Sequence, residues 1–165
     1  SKLIESIEDF PNCPDDFDTW HDGRCAQIIC QMNTPYDDGR KGFLKDGFTF
    51  KYGQAQKWVN MTLKYLWLLD MLPKGLSEAK LHVPVDSFIL EALKETQQFN
   101  TEGNKITGSG ESYYYNGEAW SAISESKNYK KLQDEIRDIA KKQGIPPIQW
   151  EGSAWMDVAK KRSSK

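Results

Sequence analysis

The chain has 165 residues, 28% charged and 38% hydrophobic, with a formal net charge of −2. This is the composition of one globular domain, long enough to bury about two-thirds of its unfolded surface, and it excludes a disordered chain. No apolar run approaches the roughly 18 residues of a membrane span, so no membrane partner is expected.

Residues 1–14 predict a short amphipathic helix on Leu3, Ile4, Ile7 and Phe10, stopped by Pro11 and Pro14. Asp15 or Asp16 then caps a second helix reaching Asn33, with Phe17, Trp20, Ile28, Ile29 and Met32 as its buried stripe. Thr34–Gly53 carries Pro35, Gly39, Gly42 and Gly47 among charges and reads as a loop. Phe48, Phe50 and Tyr52 alternate within it as a short extended piece.

A central helix is expected over Gln54–Met71. Ala55, Trp58, Val59, Thr62, Leu63, Leu66 and Leu69 follow the helical period, and Pro73 and Gly75 end it. Asp86 or Ser87 caps the next helix, which runs to Gln97 on Phe88, Ile89, Leu90 and Leu93. Phe99–Asn116 is polar and glycine-rich, reads as a mobile loop, and ends near the triplet Tyr113-Tyr114-Tyr115. Asn128–Gln143 predicts a helix on Leu132, Ile136 and Ile139, closed by Gly144. A last short helix with Trp155 and Val158 follows Pro146-Pro147, and Ser163–Lys165 should fray. The expectation is a mainly α, single compact multi-helix domain over 1–165, with about six helices and little β structure.

Charge is unevenly placed. Residues 1–39 hold two basic and nine acidic side chains, whereas 40–64 hold six basic and one acidic. The basic block suits a phosphate-bearing ligand. Cys13, Cys25 and Cys30 form no Cys-x-x-Cys pair, and the two histidines, His21 and His82, lie far from each other in sequence, which argues against zinc. No metal and no cofactor are expected, and reduced structural thiols in a cytoplasmic setting are the plain reading. Gly108-Ser109-Gly110-Glu111 lacks the lysine of a phosphate loop, and neither Asp15-Asp16-Phe17-Asp18 nor Asp37-Asp38-Gly39 has calcium-loop spacing.

The candidate site combines two stretches. Lys57, Asn60 and Lys64 stand at i, i+3 and i+7 and share a polar helix face. His82 and Asp86 flank Pro84 at the mouth of the next helix. If the connecting loop folds back, the amine of Lys57 and the carboxylate of Asp86 meet in a cleft, as nucleophile and electrostatic partner. Asn60, Lys64 and His82 are the expected ligand-binding residues. Each has a plainer reading: Lys57 as a surface lysine, Asp86 as an N-cap worth roughly 1 kcal/mol, Asn60 as a satisfied buried amide.

Gly53, then Lys57 opening an apolar helix, then Val83-Pro84-Val85-Asp86 leading into another helix resembles the core of helix-hairpin-helix DNA glycosylases, most closely the oxoguanine glycosylase branch. The resemblance covers about residues 50–95. It implies that Lys57 attacks C1′ of a damaged nucleotide and that Asp86 supports the charge developing on the sugar. The target base is then flipped from the duplex toward aromatic rings. Of the hairpin glycines only Gly53 is present, and the 29 residues from Lys57 to Asp86 exceed the family's usual spacing. The same stretch is also similar to a family of uncharacterised bacterial proteins with a His-x-Pro-x-Asp step and a terminal Trp-Glu.

Three functions are therefore expected in order: a glycosylase/lyase-like or nucleic-acid-binding protein; a non-catalytic protein-interaction module of bacterial or phage origin, docking through Trp120, Trp150 or Trp155; and a small nucleotide-binding protein using the same residues.

Overall fold

A computed structural model describes residues 17–34, 44, 47–97 and 119–164. They form five α-helices: α1 Phe17–Asn33, α2 Tyr52–Leu68, α3 Ser87–Gln97, α4 Ser126–Gln143 and α5 Pro147–Ser163. Two single 3-10 turns, Glu78–Lys80 and Trp120–Ala122, join them, and no strand occurs among the described residues. The mainly α expectation holds. The helix expected over 1–14, the Phe99–Asn116 loop with its tyrosine triplet, and Cys13 lie outside the described residues.

Each helix boundary has a local cause. The backbone N–H of Lys51 donates to Gln54 Oε1 (2.8 Å), which starts α2 two residues before Gln54. The helix ends at Leu68, ahead of Pro73, because Asp70 turns left-handed at φ 56°. Short polar side chains tolerate that conformation better than most. Asp86 caps α3, its Oδ1 accepting from the backbone of Phe88 (2.9 Å) and Ile89 (3.1 Å). Gly144, at φ 69°, closes α4, and Pro147 supplies the first residue of α5. That last helix, at 17 residues, is not the short one the sequence suggested.

α1 packs on α2, α3 packs on α5, and α4 turns tightly into α5. Phe88 of α3 stacks on Trp155 of α5 with ring centroids 4.7 Å apart. The core is built from Phe17, Tyr52, Ala55, Val59, Leu63, Val83, Ile89, Ile136 and Ile148, among others. Trp150, expected as a docking residue, is buried in it, whereas Trp120 and Trp155 are half-buried against it.

The central helix is not apolar-in on every periodic position. Ala55, Val59 and Leu63 are buried, but Trp58 and Leu69 face outward and Thr62 is half-buried. The cause is that α2 carries two apolar stripes. The one with Tyr52, Ala55, Val59 and Leu63 meets α1 and the 82–86 segment. The other, with Trp58, Tyr65 and Leu68, is exposed among the described residues.

Three side-chain amides do the work a sheet would do. Asn33 accepts from Phe50 N (2.8 Å) and donates to Phe50 O (2.9 Å), holding the chain there without a partner strand, and Tyr52, expected at the end of the extended piece, instead opens α2. Gln133 of α4 likewise accepts from Val83 N (2.9 Å) and donates to Val83 O (2.8 Å). Gln56 of α2 accepts from Val85 N (3.2 Å) and donates to Val85 O (2.9 Å). Pro84, between them, has no N–H to satisfy. The irregular run from His82 to Asp86 is thus held by glutamines from two helices, and this fixes where His82 and Asp86 point.

Candidate functional site

The held segment delivers its two polar residues to different places. Asp86 reaches Lys57, with Nζ 3.2 Å from Oδ2, and both side chains are partly open to solvent at 29% and 16% exposure. Because Asp86 Oδ1 is tied to the start of α3, its other oxygen is presented to the amine in one orientation. Lys57 Nζ also lies over the Trp120 ring, 4.7 Å from its centroid, a cation–π contact.

Trp120 is seated there by Gly53. Gly53 N–H donates to Ile123 O (2.9 Å), and a Cβ at position 53 would come within 1.9 Å of Trp120 O. Only glycine lets the 119–123 segment lie this close to the first turn of α2. Beside the amine, Phe50, Gln54, Lys57, Trp58, Met61 and Trp120 enclose an almost wholly apolar pocket of about 360 Å³. Phe50 and Trp58 meet edge to face in its wall, 5.4 Å between centroids.

His82 is elsewhere. It is buried in a polar cluster at the centre of the molecule together with His21, Asn60 and Tyr129. Asn60 Oδ1 can only accept, so His21 donates from Nε2 (2.9 Å), and that fixes the His21 tautomer. Its Nδ1 then faces the Cys25 thiol at 3.7 Å. Asn60 Nδ2 donates to the Tyr129 hydroxyl (2.7 Å) and Gln56 Oε1 (3.0 Å). Tyr129 in turn donates to His82 Nδ1 (3.0 Å), leaving His82 Nε2 to donate to Asp18 Oδ1 (2.8 Å). Arg137 pairs with both oxygens of Asp18 and lies 2.8 Å from His82 Nε2, two donors converging on one carboxylate.

Electrostatics follow the burial. Desolvation holds the pKa of His21 and His82 below the usual histidine value, and the neighbouring Arg137 charge acts on His82 in the same direction. The hydrogen bond from His82, with the Arg137 pair, holds Asp18 well below the usual carboxylate range. Burial pushes the Cys25 thiol up to about 12, which leaves it unsuited to nucleophilic work.

Lys64 is drawn to neither group. It pairs with Glu151 Oε2 of α5 at 2.5 Å, where burial raises the Glu151 pKa despite the lysine. Of the five residues singled out from the sequence, Lys57 and Asp86 come together as expected. Asn60 and His82 meet through Tyr129 inside the core, and Lys64 makes a separate, mostly dry contact with a neighbouring helix. A single open cleft lined by Lys57, His82 and Asp86 does not form, because the two glutamines hold the segment so that His82 and Asp86 reach different partners.

Sequence reasoning did not select Trp120, Phe50, Tyr129 or Gln56 for these roles. Gln56 lies 29 residues from Val85, Trp120 63 from Lys57 and Tyr129 69 from Asn60, distances that no local pattern encodes, while Phe50 and Trp58 are only eight apart. The Gly53 close approach was the one usable signal, since a glycine in the first turn of a long helix asks for a reason.

Comparison of the chain with family models, with curated proteins and with solved structures finds no match.

Proposed function

We propose that Lys57 and Asp86 form the working pair of a site acting on a nucleotide unit of nucleic acid, in the manner of a glycosylase-lyase. The observation that supports this is the pair's setting. A lysine amine stands 3.2 Å from a carboxylate oriented by a helix cap, at the rim of an apolar pocket walled by Phe50, Trp58 and Trp120.

The chemistry is amine addition at C1′ of the sugar. A nitrogen–carbon bond forms, the glycosidic bond breaks, and the base leaves with its electron pair and a proton. The attacking nitrogen must shed a proton, and the Asp86 carboxylate is within reach to accept it or to offset positive charge on the sugar. At a sugar already lacking its base, the amine condenses with the open-chain aldehyde to an imine and releases water.

The test is borohydride trapping on an abasic duplex. Wild-type protein is expected to give a covalent protein–DNA adduct, Lys57→Ala none, and Asp86→Asn a slower one, since asparagine preserves the cap while removing the charge. No adduct, together with no DNA retention at low salt, would overturn the reading. The pocket's size favours a second reading, a free nucleoside or nucleotide as ligand. A thermal shift with nucleosides but not with duplex DNA is its signature.

A further inference from the structure

The pocket beside Lys57 is shaped by three pieces of chain. Gln54, Lys57, Trp58 and Met61 share one side of α2, Phe50 stands just ahead of that helix, and Trp120 comes from the second 3-10 turn. Gln54 is the one neutral polar side chain among them, and its Oε1 is already taken by the Lys51 N–H at 2.8 Å. An occupant therefore meets rings, a thioether and methylene groups. Such walls favour an apolar or aromatic body. They penalise a polar group that gives up its hydrogen bonds to water and finds none inside. The volume of about 360 Å³ lies within the range of small-ligand sites, about 300–1,000 Å³.

At the rim the chemistry is different. Lys57 Nζ is 3.2 Å from Asp86 Oδ2, so the charge of the amine is matched within the chain and the site does not call for an anion. Asp86 Oδ1 is held by two backbone N–H groups, which leaves Oδ2 for the nitrogen. Both side chains are partly open, so a reagent reaches them from solvent. An uncharged electrophile on an apolar body suits the rim and the walls together.

We infer that the site captures free aldehydes with an apolar or aromatic body, the body seated between Phe50, Trp58 and Trp120 and the carbonyl carbon at Lys57 Nζ. Asp86 takes one proton from the ammonium, and the freed amine adds to the carbonyl carbon. The oxygen gains that proton from Asp86 and a second from the nitrogen, and leaves as water when the C=N bond forms. The product is a protonated imine and Asp86 is a carboxylate again, so the step needs no oxidant and no further reactant. The imine keeps the positive charge beside Asp86 and over the Trp120 ring, where the ammonium stood. Lys57 is here the same amine that the proposed function uses, and this substrate class rests on that role. The substrate is a small apolar carbonyl compound instead of a nucleic acid.

Reductive trapping on the full chain tests this, with cyanoborohydride and either hydrocinnamaldehyde or glyceraldehyde, read by peptide mapping. The exposed Lys142 is the internal standard for the reactivity of each aldehyde. Hydrocinnamaldehyde is expected to label Lys57 about tenfold faster than Lys142, and glyceraldehyde to label the two alike. Trp58→Ala and Met61→Gln, neither in the buried core, are expected to abolish the preference while circular dichroism shows an intact fold. Equal labelling of Lys57 and Lys142 by hydrocinnamaldehyde overturns the inference. So does the same preference with glyceraldehyde, or a preference that survives both substitutions. An abasic-duplex adduct without the preference removes the aldehyde and leaves the nucleic acid as substrate; the preference without a DNA adduct does the reverse.

Discussion

Asn60 shows how much a single buried side chain can organise. Its oxygen accepts from His21, and its nitrogen faces Gln56, Val83 O and Tyr129, so it links α1, α2, α4 and the 82–86 segment. Truncation leaves the His21 N–H without its acceptor inside the core, while Tyr129 keeps His82 and Val83 O keeps Gln133. Such an orphan costs about 1–3 kcal/mol, and the void left by the amide adds to it. Asn60→Ala is therefore expected to destabilise the fold by roughly 3 kcal/mol or more, measured by urea unfolding. A loss below 1 kcal/mol would mean that water replaces the amide. The sequence placed Asn60 on one polar face with Lys57 and Lys64, and helical geometry supports that. Yet the middle residue is fully buried while its neighbours are partly open. Periodicity specifies a direction around the helix axis, and it says nothing about how far a neighbouring element covers that direction.

At the scale of elements, the segment from His82 to Asp86 has no regular structure and no strand beside it. Its amides at Val83 and Val85 are bonded to Gln133 and Gln56. Both should exchange slowly with solvent although they lie in irregular structure. Gln133→Ala is expected to raise the exchange rate of the Val83 amide at least tenfold while Val85, held from α2, changes less. Equal protection at both sites in the variant would show that packing alone holds the segment. Here the sequence was partly legible. The aspartate before Ser87 announced a cap and served as one. The clamps were invisible, because a glutamine in a helix interior carries no mark of the backbone it will meet. The doubled apolar stripe of α2 was misread for a related reason: an apolar residue at helical spacing does not say which of two faces the core will take.

At the scale of the molecule, buried titratable groups couple stability to pH. His21 and His82 have folded pKa values below their unfolded value of 6.5. Between the two values the unfolded chain binds protons that the folded chain excludes, so their stabilisation is complete above pH 6.5 and falls as pH drops below it. The slope is about 1.4 kcal/mol per pH unit for each histidine. His21 is faced by Asn60, Tyr129 and Cys25, and His82 by Asp18, Arg137 and Tyr129. Asp18, with its folded pKa depressed, adds stability above its unfolded value of 3.8 that is lost as pH falls further. Glu151 acts with the opposite sign, since its raised folded pKa favours the folded state below the unfolded value of 4.5 and loses that advantage as pH rises past it. The sum predicts a melting temperature that falls from pH 7 to pH 5, with His82→Gln flattening the profile. A flat wild-type profile over that interval would show that both rings remain accessible to protons.

The sequence by itself determined the helical class, the cap at Asp86 and the glycine stop at Gly144, whereas the meeting of Lys57 with Asp86, 29 residues apart, depended on how the connecting segment folds back. The three that were determined rest on information within a turn or two of chain. The tertiary structure alone decided that His82 turns inward to Tyr129 and Asp18, that Lys64 belongs to Glu151, that Trp120 covers the amine and that Trp58 stands outside. These depend on which distant surfaces come to lie against one another. That choice is made by the summed burial of many side chains, and no short stretch of sequence contains it.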